Sequence, residues 1–101
     1  VTSAQRSPQM PDLPSVAEAG VPGYDAALWL GVVAPQGTPK TIIDMLNVEI
    51  NKVMQLPDVK SGYASIGFDT AGSTPEAFGA FIKSEYSKWG KIVRESGAQV
   101  N

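Results

Sequence analysis

The apolar residues of this chain follow two distinct rhythms. From Ala27 to Val33 the sequence Ala-Leu-Trp-Leu-Gly-Val-Val is apolar almost without interruption. A run of that length suits a strand covered on both faces better than a half-exposed one. A core strand is therefore expected over 27–34, closed by Pro35 and Gly37. Beyond it the period changes: Ile42, Ile43, Leu46, Ile50 and Val53 recur at three- and four-residue intervals, which marks an amphipathic helix with one core-facing stripe. Thr38 and Pro39 read as its N-cap and first helical residue, and it is expected to run through Met54. Pro57 restarts the chain, and Val59, Tyr63 and Ile66 keep helical spacing up to Gly67, although Ser61-Gly62 weakens the propensity there.

The last third repeats the pattern more strongly. Phe68-Asp69-Thr70 reads as a brief strand, and Ser73-Thr74-Pro75-Glu76 combines capping-box spacing with a proline in the first turn. Phe78, Phe81, Ile82, Tyr86, Trp89, Ile92 and Val93 then hold an i, i+3, i+4 rhythm until Gly97, a natural C-cap. The first 26 residues carry no such period. Pro8, Pro11 and Pro14 withhold backbone donors and bias their predecessors towards extended conformations, so this part is expected to be an extended arm. Ser15 and Glu18 have capping-box spacing and Gly20 can end a turn, which predicts one short helical turn over Val16–Ala19.

These elements define a single segment, 1–101: an arm with a short turn over 1–26, a core strand over 27–34, and helices over 38–101 with a brief strand near 68–70. The fold class is α/β, with few strands covered by three helices. A chain of 101 residues has room for one core. The sheet is nonetheless incomplete, because a nearly continuous apolar strand needs neighbours on both edges and this chain offers little to pair with it. Oligomerisation or strand exchange is expected to supply what is lacking.

Composition narrows the chemistry. The 43% hydrophobic and 18% charged content is that of a globular protein and not of a disordered one. With a net charge of −2 and scattered Lys and Arg, no basic stripe is available for a phosphate backbone, so nucleic acid is not an expected partner. The chain has no His and no Cys. That removes Ser-His-Asp and Cys-His arrangements, imidazole and thiolate metal sites, and the commonest general acid-base residue. Asp44 and Glu49 fall among polar helical positions, while Glu18, Asp58 and Glu76 fall at helix starts and complement the macrodipole. Ser84 and Lys88 have the spacing of a dyad, but Lys83, Lys88 and Lys91 lie mainly away from the apolar stripe, where a solvated role is the better account. No catalytic residue, metal or cofactor is expected. Trp89 reads as a core residue, whereas Tyr24 and Trp29 at the strand, and the hydroxyls of Thr2 and Ser3, are the candidate ligand contacts. The chain begins at Val1 and shows no signal-peptide pattern.

Several segments taken together resemble a known family: Val1-Thr2-Ser3-Ala4, Arg6-Ser7-Pro8, Pro11 to Gly20, Pro22-Gly23-Tyr24, Trp29 to Pro35, Gly37-Thr38-Pro39, Leu46-Asn47, Gly72 to Phe78 and Lys88-Trp89. In this order they resemble the Bug (TctC-like) periplasmic receptors of tripartite tricarboxylate transporters, across essentially the whole chain. The resemblance implies the C-terminal portion, roughly the last third, of a two-lobed receptor of the type II periplasmic-binding-protein kind, a binding protein and not an enzyme. Such a receptor closes on a small carboxylate, held chiefly by backbone N–H groups at helix starts, hydroxyls and waters, and delivers it to membrane transporter subunits. The resemblance further implies a periplasmic location. It puts Val1–Ala4 at a crossover between lobes and makes Thr2, Ser3, Tyr24 and Trp29 candidate contacts, with the main carboxylate contacts in the part not present here. The competing expectation is an interaction domain derived from such a receptor, which pairs strands with a second copy and binds no solute.

Overall fold

A computed structural model describes residues 1–98. Its regular structure is three helices: α1 (Lys40–Gln55), α2 (Pro57–Ser65) and α3 (Pro75–Ser96). Each boundary has a local cause. The α1 N-cap is Pro39, with no side-chain cap, and the Thr38 hydroxyl instead donates to the Pro35 carbonyl at 2.8 Å. The expected Thr38 cap is thus displaced by one residue, because its hydroxyl is engaged in the preceding turn. Leu56, held extended before Pro57 (φ −65°, ψ 135°), separates α1 from α2, as the clash between a proline ring and the residue before it requires. The Thr74 hydroxyl, and not that of Ser73, accepts from the Ala77 N–H at 3.1 Å to cap α3, with Pro75 in the first turn. Gly97, at φ 68°, takes the left-handed conformation that ends α3. The last helix therefore ends at Ser96 against the expected C-cap, Gly97, and residues 99–101, the end of the helical region expected over 38–101, lie outside the described residues.

The two expected strands do not form among the described residues. Residues 27–34 take no regular structure, and none of their backbone N–H or C=O groups is hydrogen-bonded among the described residues, so there is no ladder. The Phe68–Thr70 segment is likewise irregular. A strand is defined by its neighbour, and among the described residues no segment pairs its backbone with 27–34. The short turn at Val16–Ala19 does close: the Ala19 N–H donates to the Ser15 carbonyl at 3.0 Å, and the Ser15–Glu18 capping box is complete in both directions.

The expectation of a closed interior is also corrected. Among the described residues no hydrophobic residue is buried; the two buried residues are Ser15, fully, and Glu85, at 7% exposure. Leu28, Leu30, Val32 and Val33 are 70–78% exposed. The helices meet only lightly, α1 touching both α2 and α3. A short polar joint fixes the loop before α3: the side-chain amides of Asn47 and Asn51 both donate to the Ser73 carbonyl, at 2.9 and 3.0 Å, and Asn51 donates also to the Asn47 amide oxygen.

Candidate functional site

The segment 27–34 lies against α3 through Trp29 and Gly31. The Trp29 ring stands edge-on to Phe81 (centroids 5.2 Å apart, planes at 74°) and to Phe78 (5.8 Å, 87°). Two residues on, Gly31 faces the Phe78 ring so closely that a Cβ would overlap it. These contacts use the apolar stripe of α3 that its periodicity forecasts.

A carboxylate sits within that stripe. Glu85 is 7% exposed, and its Oε2 accepts from two indole N–H groups, Trp89 at 3.0 Å and Trp29 at 3.3 Å. Its Oε1 pairs with the Lys88 ammonium. Lys88 in turn donates to the Asp25 carbonyl oxygen at 3.1 Å and lies 3.6 Å from the Asp25 carboxylate, with its Nζ 5.5 Å from the centre of the Trp89 ring. The Lys88 hydrogen bond is the main cause holding the Glu85 carboxyl below the usual glutamate range, opposed by burial and aided by the two indoles. Lys88 is raised by the same pairing, opposed by burial and aided by Asp25.

Asp25 extends this network to the N-terminal arm. Its Oδ1 accepts from the Ala4 N–H at 3.1 Å, while the Ala26 N–H donates to the Thr2 carbonyl at 2.8 Å. The fold thus lays Thr2 and Ser3 beside the Tyr24–Ala26 stretch. Thr2 engages through its backbone, and the Ser3 hydroxyl donates to the Gln5 carbonyl at 2.7 Å. Trp29 turns away from this group onto α3. It forms one wall of an open apolar groove of about 540 Å³, with Ile82, Tyr86, Trp89 and Val93 along the helix and Arg94 at one end. The four predicted contacts therefore fall in two places, Thr2, Ser3 and Tyr24 at the arm and Trp29 at the groove, joined through Asp25, Lys88 and Glu85.

Sequence reasoning passed over Glu85 and assigned Lys88 to a solvated face. The signal for Glu85 was present: it is three residues after Ile82 and four before Trp89, which puts a carboxylate on an apolar stripe. Chemically, the cluster is a structural joint, because every charged group in it is already paired. No group of three His, Cys, Asp or Glu side chains able to hold a metal ion occurs among the described residues, and no helix there is long and apolar enough to cross a membrane.

The sequence matches the family described as tripartite tricarboxylate transporter family receptor over residues 1–98. It is 43% identical, over its whole length and 30% of the relative's, to the UPF0065 protein of the tcbD-tcbE intergenic region of Pseudomonas sp. strain P51. Among solved structures it is similar to R. palustris Rpa4515 with adipate, with a TM-score of 0.77 and 34% identity over 95% of this chain and 32% of that one. It is also similar to the periplasmic binding protein BugD, with a TM-score of 0.75 and 31% identity over 97% of this chain and 33% of that one. The chain spans about a third of the length of these relatives.

Proposed function

This chain belongs to the tripartite tricarboxylate transporter receptor family, and on that premise we propose that it is the C-terminal portion of a periplasmic solute receptor that binds a small carboxylate for such a transporter. The observation that carries this reading is the absence of any buried hydrophobic side chain among the described residues of a chain one-third the length of its relatives. Its apolar surface is that of an interior waiting for the remainder of a lobe. The family's description and the adipate of the Rpa4515 structure support the solute class. Binding, and not turnover, is favoured by a chain without His or Cys whose carboxylate joint is saturated by donors. Thr2, Ser3, Tyr24 and Trp29 are its candidate contributions to the cleft, and the principal carboxylate contacts belong to the other two-thirds.

A chimera tests this reading. Replacing the matching third of Rpa4515 with this chain should preserve saturable adipate binding by calorimetry, while the isolated chain shows none. A chimera that melts cooperatively but no longer takes up adipate contradicts the proposal.

A second reading is favoured by one specific observation, the unpaired backbone of 27–34 with Leu28, Leu30 and Val32 exposed along it. In this reading two copies pair their apolar segments and no solute is bound. Light scattering distinguishes them: a stable dimer of the 101-residue chain supports self-association, and a monomer removes it.

A further inference from the structure

Only two tryptophans occur in this chain, and both indole N–H groups end on one oxygen of one carboxylate. Trp89 reaches Glu85 from the next turn of the same helix. Trp29 reaches it from 56 residues away in sequence, across the junction between the 27–34 segment and α3. The ring of Trp29 is meanwhile held edge-on by Phe78 and Phe81. Aromatic packing fixes the plane of an indole loosely, because edge-on pairs tolerate a range of angles. A hydrogen bond to a charged acceptor fixes its direction more strictly.

The geometry points to Glu85 as the positioning residue for Trp29: its ionised carboxylate sets the orientation of that indole, and with it the seating of the 27–34 segment on α3 and the wall of the groove. The assignment rests on the proposed reading only in treating Trp29 as a surface that meets solute. The hydrogen-bond geometry stands apart from it.

Ionisation matters because a proton on Oε1 ends its pairing with the Lys88 ammonium and makes Oε2 a weaker, uncharged acceptor for the two indoles. The titratable groups around Glu85 are Lys88 on its own helix, Asp25 paired with Lys88 from the arm, and Tyr86 and Arg94 lining the same groove. Of these, Lys88 makes the direct contact and favours the charged form. Burial opposes it, and the balance leaves the carboxyl below the ordinary glutamate range. The carboxylate is therefore ionised at neutral pH, and acid weakens the joint.

Nitrogen-15 correlation spectra of the folded Rpa4515 chimera test the proposal, with the indole N–H signals of the two tryptophans of this chain assigned by Trp29→Phe and Trp89→Phe. Both signals should lie downfield of the random-coil position at neutral pH. Both should titrate together, with one common midpoint below the usual glutamate range. Glu85→Gln should abolish that shared titration and move the Trp29 signal while helical circular dichroism is retained. Lys88→Met should keep the shared titration and move its midpoint upward, and Asp25→Asn should move it far less. Separate midpoints, a Trp29 signal indifferent to Glu85→Gln, or two random-coil signals at neutral pH would each overturn the assignment. Adipate binding enters none of these readouts, so failure here and failure of the receptor reading are told apart.

Discussion

Gly31 and Gly62 are the same residue type under opposite constraints. Beside Gly31 the Phe78 ring occupies the space a Cβ would need, whereas around Gly62 in α2 nothing lies within 4 Å. Gly31→Ala should destabilise the Rpa4515 chimera by about 1–3 kcal/mol, the usual cost of forcing an atom into a packed contact. Gly62→Ala should stabilise it by about 1 kcal/mol, since alanine is the better helix former and meets no neighbour. Urea unfolding checks both signs. A pH effect also belongs at this scale. Arg6, by its hydrogen bond, is the main cause holding the Glu18 carboxyl below its ordinary value, with the Ser15 N–H next. A lowered carboxyl contributes stability above the ordinary glutamate range and loses it as pH falls through the lowered value. Arg6→Gln should accordingly move the Glu18 midpoint upward in a carboxyl-detected titration. Many residues that carry the family resemblance prove to be joints of this kind: Trp29 and Gly31 on α3, Trp89 and Lys88 around Glu85, and Asn47 against Ser73. A joint between distant segments leaves no period in a sequence, so likeness to a family can mark these residues where hydrophobic spacing cannot.

Helices were legible because their signals are local. The three- and four-residue rhythm of α1 and α3, the proline starts of α2 and α3, and Gly97 all depend on neighbours within a turn or two. Their exact caps were less so: Thr38 and Ser73 each had a rival within one residue, and geometry decided for Pro39 and Thr74. Thr74→Ala should cost about 0.5–2 kcal/mol, the range for removing a helix N-cap, and Ser73→Ala far less, since the Ser73 contact with Asn47 and Asn51 runs through its carbonyl. Thermal melts of the two variants check the order. The strand at 27–34 was half legible. Its apolar composition marked a segment that packs on α3 through Trp29 and Gly31, but a ladder requires a second strand, and no pattern within one segment can provide that.

At the scale of the whole chain, surface area shows what is lacking. A compact protein of 10.7 kDa exposes about 5,500 Å², whereas this chain exposes 7992 Å². Its radius of gyration is 16.4 Å against about 13 Å for a compact domain of this length. The surplus surface is large beside the roughly 800 Å² that each partner gives to an ordinary protein–protein interface, and it includes side chains such as Leu28, Leu30 and Val32 that water does not favour. We propose that 27–34 becomes a sheet strand when the rest of the receptor supplies its neighbours. Amide hydrogen exchange over Leu28–Val33 tests this most directly, comparing the dilute isolated chain with the Rpa4515 chimera. We predict rapid exchange in the chain and strong protection in the chimera. Protection in the dilute chain, or rapid exchange in a folded chimera, would contradict that assignment.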